Sequence, residues 1–321
     1  MKMPKVKITG GHRADDAKLM EIGDGLELQG LHEIQNYAHG VIERYFLGSE
    51  RPMNVVFLRR DADPVEIAVL MMLREHRGRN PNANIRDVVI PRRLTPAEDE
   101  LRQEFGIGIS STGYSRMSPE ARREWSERQS EAIRMLEDKR RQCREIIQKN
   151  CEDAGVFDGD TPGNPIPIVL VETGFVGEVP EGTARAIQDS DGKKGISGRD
   201  IELCVDVGKM GGQAGIRRHV MFPTNLTIGE THDSAIEGVE ALEEFPKDMG
   251  KPELRRGRDG RYYLEQKPAS AEHIGRWRDA YVQLTEYINP SGKDEILERL
   301  KGFSSHSELR DYLIGTLNLG E

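Results

Sequence analysis

Two apolar runs in this chain stop abruptly at charged or glycine-rich residues and then turn into a helical pattern. That arrangement admits few folds. The first run, Met53 to Pro64 (MNVVFLRRDADP), leads into VEIAVLMMLREH; the second, Pro167 to Pro180 (PIVLVETGFVGEVP), leads into EGTARAIQ. A short continuous apolar run bounded by turn residues reads as a buried strand, and strands that alternate with helical patterns build a parallel sheet. In an open α/β sheet the carboxyl ends of the strands form the crevice where ligands bind. One strand would deliver Arg59, Arg60 and Asp61 there, and the other Glu172 and two glycines.

Around these runs the helical stripes are legible. Leu31, Ile34, Ala38, Val41, Ile42 and Tyr45 fall on one face of a helix over 31–47. VVFLR, a helix over Val65 to His76 and the strand Ile85 to Ile90 (IRDVVI) form a β-α-β unit, with Asp63 as N-cap and Pro64 at the first helical position. Residues 95–165 break this rhythm. Ser118-Pro119 opens a charged helix reaching about Asp153, with a thin apolar stripe; it reads as an exposed helix, a docking surface for a protein partner, or a lid hinged on the glycines of GIGISSTGY. Beyond Asp160-Thr161-Pro162-Gly163 come the strand IPIVLVE, a short helix over Glu181 to Gln188, a surface loop over Asp189 to Asp200, the strand Ile201 to Val207 and a short strand over His219 to Phe222. Asp233 to Phe245 reads as a helix, RRGRDGRYY as a hairpin with an Asp-Gly turn, and 270–288, 292–302 and 305–317 as helices, the last opened by the capping box Ser305/Glu308. The expected architecture is α/β with a mostly parallel central sheet. Its core would comprise 1–94 and 156–267, with a helical insertion over 95–155 and a helical C-terminal section over 268–321.

Bulk properties exclude several classes. A net charge of −9 over 321 residues argues against a generic nucleic-acid or membrane-surface footprint, leaving only local basic pairs at Arg59/Arg60, Arg92/Arg93 and Arg217/Arg218. No apolar run approaches the roughly 20 residues a membrane helix needs, and MKMPKVKITGG has no apolar signal core. Cys143, Cys151 and Cys204 make neither a disulfide framework nor a zinc spacing, so the chain reads as a reduced cytoplasmic protein.

Three groups of residues could carry chemistry. Glu172 ends a buried strand, and Gly174 and Gly177 beside it would let backbone N–H groups approach an anion ahead of a helix N-terminus. Arg59 and Arg60 could grip phosphate bidentately, with Asp61 as base or metal ligand; otherwise the three form a structural ion network. Arg92 and Arg93 repeat the motif on the neighbouring strand. His219 and His232 flank the ligand side, His32 and His39 share one helix face, and Asp206 precedes another glycine-rich stretch. Neither a P-loop nor GxGxxG or GxSxG is present.

The series VVFLRRDA, VVIPRRL and IVLVETGFVGEV, with a helical segment before the last and Ile236-Glu237 later, resembles the type I phosphoribosyltransferase-like group, in particular a bacterial branch found near phosphatase-like domains. The resemblance spans roughly 30–250. It implies a phosphorylated ribose or nucleotide as ligand, Thr173, Gly174 and Gly177 in the phosphate loop, Glu172 on the ribose, Arg59, Arg60 and Asp61 near pyrophosphate, and Mg²⁺ held through Glu172. Thr173 stands where that group has a second acid, and Gly-Phe-Val-Gly replaces a Thr-Gly-rich loop. A non-catalytic binding module that keeps the crevice is therefore the alternative, with a homo-oligomer or a protein partner engaging the long helix. Asp61-Ala62-Asp63-Pro64-Val65 also resembles the start of haloacid-dehalogenase-type phosphatases, which would make Asp61 nucleophile and Asp63 acid/base. There Thr173 would bind phosphate with Lys193, Lys194 or Lys209, and Glu230 and Asp233 would hold metal.

Overall fold

The computed structural model describes residues 28–47, 51–59, 62–75, 83–95, 104, 117–161, 163–173, 178–208, 216–223, 252–265, 268–289 and 295–317. The GIGISSTGY loop and the helix expected over Asp233 to Phe245 lie outside them.

Both diagnostic runs are strands of one sheet. β1 (Met53–Arg59), β2 (Ala83–Val89), β3 (Ile168–Glu172), β4 (Ile201–Gly208) and β5 (Ile216–Pro223) pair in the order β2-β1-β3-β4-β5, all parallel. Successive strand residues point to opposite faces, and the apolar runs supply both. Val55, Phe57, Val169, Val171 and Cys204 enter one core, while Val56, Leu58, Ile168, Leu170, Leu203 and Val205 enter the other.

Helices α1 (Leu28–Val41, continued by a π-helical turn over Ile42–Leu47) and α2 (Asp63–Glu75) cover the first face. They share it with α5 (Ala271–Ile288), α6 (Glu295–Leu300) and α7 (His306–Leu317), so the C-terminal helices pack into the same core as the sheet. All six stripe residues expected on the first helix are buried. In α2 every residue from Val65 to Leu73 is buried, so this helix is enclosed rather than amphipathic. It starts at Asp63, one position before the expected first turn.

The second face is covered by α3 (Pro119–Asp153) and α4 (Glu178–Lys193). Ser118 caps α3 by accepting a hydrogen bond from the Ala121 N–H, with Pro119 at the first position. The long helix is the crossover from β2 to β3. At 35 residues it is about 52 Å long, against about 23 Å for a seven-residue strand, so only part of it can lie on the sheet. Its buried residues, Leu136, Lys139, Cys143, Ile147 and Cys151, all belong to the C-terminal half. That end is fixed at the amino edge of the sheet, where Asn54 Nδ2 donates to the Val156 carbonyl at 2.8 Å. The half from Pro119 to Met135 therefore runs past the carboxyl edge.

A two-stranded antiparallel hairpin, β6 (Glu253–Arg256) and β7 (Tyr262–Glu265), packs Leu254 and Leu264 against the second core. Two expectations are corrected. The helix expected over Glu181 to Gln188 runs through Lys193, and the expected surface loop over Asp189 to Asp200 buries Ser190, Asp191 and Arg199. No helix among the described residues is long and apolar enough to cross a membrane.

Candidate functional site

The order β2-β1-β3-β4-β5 puts a topological switch between β1 and β3, because the chain leaves β1 toward one edge of the sheet and enters β3 on β1's other side. Such switch points open a crevice at the carboxyl edge. β1 ends at Arg59 and β3 at Glu172. The pairing of Phe57 with Val171 brings Arg59 level with Thr173, and Arg59 is also opposite Val89 of β2. The strand ends picked out in the sequence are thus neighbours. Arg60, Asp61, Gly174 and Gly177 lie outside the described residues.

Glu172 and Thr173 are both buried at the carboxyl edge. Alternation along β3 sends the Glu172 side chain to the α4 face, with Ile168 and Leu170. Its backbone is fixed from the other face: the Tyr37 hydroxyl lies 2.9 Å from the carbonyl oxygens of both Glu172 and Cys204 and ties β3 to β4. α4 begins at Glu178, a few residues after Thr173, so its N–H groups are presented to the segment between them. This start is earlier than the sequence indicated.

Beyond β2, Arg92–Leu94 form a 3-10 turn closed by the Leu94 N–H donating to the Pro91 carbonyl at 2.8 Å. Leu94 is buried in the second core and Arg93 is exposed. The following residue, Thr95, sits against Gly182 of α4; a Cβ on Gly182 would lie 2.3 Å from Thr95 Cγ2. That close approach holds the arginine turn beside the first turns of α4. Gly182→Ala should therefore push the two apart and cost about 1–3 kcal/mol, read as a lower urea midpoint; an unchanged midpoint would mean the contact is loose.

Arg59 is spent elsewhere. Its side chain follows Val55 and Phe57 onto the first face, lies 3.7 Å from Asp63 and 3.4 Å from Asp87, and donates to Ser307 Oγ at 3.0 Å. Around it Glu66 accepts from Arg310 Nε at 2.7 Å and pairs with His306 Nε2 at 2.9 Å, while Arg310 also reaches Asp87 at 3.1 Å. Arg59 and Glu172 thus belong to adjacent strands but opposite faces, and their side chains do not converge. Sequence reading missed Glu66, Asp87, His306 and Arg310. The available signal was Glu66 itself, a carboxylate inside the otherwise apolar run VEIAVLMML.

The remaining candidates scatter. His32 Nδ1 meets the Tyr287 hydroxyl at 3.2 Å, and His39 is exposed. His219 is held below its ordinary pKa by burial and by Arg44, beside Glu202, whose carboxylate accepts from Tyr45 at 2.7 Å and Arg44 at 2.9 Å. Lys194 pairs with Glu152 and Lys193 with Gln148, both at the far end of α4 from Thr173, which separates them from any phosphate held there. The Asp206 side chain, Lys209, Glu230, His232, Asp233 and Ile236-Glu237 lie outside the described residues. All three cysteines are free and buried, and burial pushes the Cys204 thiol up to about 12.

Among the described residues no group of three or more His, Cys, Asp or Glu side chains could hold a metal. Among the described residues, Glu172 offers one carboxylate at the crevice. Mg²⁺ is commonly held by one or two carboxylates with substrate phosphates and water, so this residue fits an ion that arrives with a phosphorylated ligand better than a resident one. Compared with known proteins, the chain matches no family model and no curated protein sequence.

Proposed function

We propose that the chain is a phosphoribosyltransferase-like protein that binds a phosphorylated ribose or a nucleotide at the β1/β3 switch point. The observation that carries this reading is the buried Glu172-Thr173 pair at the end of β3, a few residues ahead of the N-terminus of α4. A helix N-terminus and its approach segment favour phosphate, and a carboxylate beside them suits ribose hydroxyls. Glu172 orients the sugar, the segment carrying Thr173, Gly174 and Gly177 takes the phosphate, and Arg92 and Arg93, in the turn that follows β2, add positive charge. Mg²⁺, when bound with the ligand, neutralises charge on the phosphates.

The engagement of Arg59 on the opposite face, together with Thr173 in place of a second acid, favours ligand binding without transfer chemistry as the second reading. A phosphatase role draws no support from Asp63, which is 1% exposed at the start of α2 and faces Arg59 and His306.

Thermal-shift titration with phosphoribosyl pyrophosphate, ribose 5-phosphate and AMP, each with and without Mg²⁺, tests the proposal, since a ligand of the folded state raises Tm by mass action. A Mg²⁺-dependent rise is expected. Glu172→Gln, which keeps the shape, should weaken the ligand roughly tenfold or more through loss of a charged hydrogen bond. No rise with any of the three, or equal binding by the variant, would overturn the assignment; binding without turnover across purine and pyrimidine acceptors would select the second reading.

A further inference from the structure

The β6–β7 hairpin carries a charge pattern unlike the rest of this acidic chain. Between Arg255 and Tyr263 it holds four arginines (Arg255, Arg256, Arg258, Arg261), two tyrosines and a single acid, Asp259. Antiparallel register sets Arg255 opposite Tyr263 and Arg256 opposite Tyr262. Leu254, Leu264, Arg256 and Tyr262 share the inward face. There the Tyr262 N–H donates to Gln142 Oε1 at 2.9 Å, and the Tyr262 ring lies between Lys139 of α3 at 5.6 Å and Arg256 at 5.8 Å. Tyr262 is thereby the anchor that seats the hairpin on α3.

Arg255 and Tyr263 lie on the outward face, together with Glu253 and Glu265. Tyr263 is 49% exposed and is the only aromatic among the large exposed apolar side chains of the described residues. Arg255 is oriented beside it by Glu253 and by Glu265, the latter at 3.0 Å. At the tip Asp259 is used to close the turn, accepting from the Arg261 N–H at 3.1 Å, and Gly260 takes φ +81°. Among the described residues no hydrogen bond or ion pair occupies the side chains of Arg258 and Arg261. A flat ring on a rigid base, with Arg258 and Arg261 at the tip not engaged by acids, is suited to a ligand with both a π face and phosphates.

We propose that this hairpin binds single-stranded nucleic acid, with a base stacked on Tyr263 and neighbouring phosphates held by Arg258 and Arg261. An acidic peptide would satisfy the arginines and leave the ring unused. A duplex keeps its bases stacked on each other, and its charge density meets the repulsion of a chain with net charge −9. A single strand exposes base faces, and stacking on aromatic side chains tolerates any sequence. The site is separate from the β1/β3 crevice and does not depend on the ligand proposed there.

Fluorescence anisotropy of the full chain with labelled oligothymidylate and oligouridylate of about 15 nucleotides, and with a duplex of equal length, in about 50 mM salt, tests this. The parent should bind both single strands more tightly than the duplex. Tyr263→Ala should weaken binding by roughly 5- to 100-fold, and Tyr263→Phe, which keeps the ring, by no more than about twofold. Arg258→Gln with Arg261→Gln should flatten the salt dependence of log affinity by about 1.4, two phosphate contacts' worth for a single strand. Absence of binding, equal binding by Tyr263→Ala, or a duplex bound as tightly as the single strands would overturn the proposal. All these side chains are exposed, and far-UV circular dichroism confirms that the variants fold.

Discussion

Replacing Glu66 with leucine should destabilise the protein by about 3–5 kcal/mol, the usual cost of removing one partner from a buried ion cluster. Glu66 is fully buried and is the hub that joins α2 to the C-terminal helix α7 through His306 and Arg310. Three carboxylates (Asp63, Glu66, Asp87) face three bases (Arg59, Arg310, His306), so the cluster balances only when His306 is protonated. Taking Glu66 away leaves Arg310 and His306 inside the protein with too little negative charge, and leucine restores none of it. Urea unfolding at pH 6 reads the loss; a change below about 0.5 kcal/mol, typical of a surface site, would show that the cluster is not closed in solution.

The same cluster fixes a pH dependence. Burial by itself depresses His306, but Asp63 and Glu66 outweigh it and hold its pKa above the ordinary value. A histidine raised on folding stabilises fully below its unfolded value of about 6.5, and that contribution is lost as pH rises through the folded value. Burial and the Glu66 charge raise Asp87, which likewise gives up stability as pH rises. Glu66 works in the opposite sense: burial pushes it up, the hydrogen bond from His306 and the charge of Arg310 pull it down further, and its contribution is lost as pH falls below the ordinary carboxylate range. Tm should therefore decline on going from pH 6 into the alkaline range. His306→Gln should remove much of that slope while lowering Tm at pH 6. A slope unchanged in the variant would assign the pH dependence to other groups.

The buried strands and the stripe on α1 could be read from the sequence because each obeys one rule along its length. VVFL and IPIVLV are apolar at every position up to the charged residue that ends each run, as a short strand covered on both faces requires, and their order relative to the helices leaves a parallel sheet as the economical solution. What escaped reading depends on distant partners. Asp189-Ser190-Asp191-Gly192 has the composition of a turn, yet it is the last stretch of α4, because Asp191 is bound by Arg199 from the next loop. The long helix α3 looked inserted because its apolar stripe is thin and its first half buries no residue; its other half is an ordinary crossover helix, recognisable only once the sheet beneath it is known. At the candidate site, spacing located the strand ends Arg59, Arg92-Arg93 and Glu172 on neighbouring strands. Spacing cannot say to which face each side chain turns unless the register is given, and it was the face that parted Arg59 from Glu172.

Arg199 should be the residue whose replacement most disrupts the amino edge of the sheet, by about 3–5 kcal/mol for Arg199→Leu. Its guanidinium has five N–H groups and all five are used. Nε donates to Asp191 at 2.7 Å, Nη2 to Asp191 at 2.9 Å and to Asp160 at 2.6 Å, and Nη1 to Asp160 at 3.0 Å and to the Ile166 carbonyl at 2.9 Å. The plane of the group also lies 5.4 Å from the Phe157 ring. One side chain thus joins the loop before β3, the end of α4 and the loop before β4. Lysine offers a point charge and cannot reproduce two forked contacts, so Arg199→Lys should recover only part of the loss. In Arg199→Leu two carboxylates that shared a cation face each other without it. Asp160, which burial would raise, is held below its ordinary pKa in the parent by Arg199 and the Ile166 N–H, so the parent's stabilisation is present above about pH 3.8 and fades as pH falls. The variant has little of that contribution to lose. The gap in stability between parent and Arg199→Leu should accordingly narrow from pH 7 toward pH 3.5, as protonation relieves the repulsion. A gap that stays constant over this range would mean that Arg199 acts through packing on Phe157 rather than through its charge.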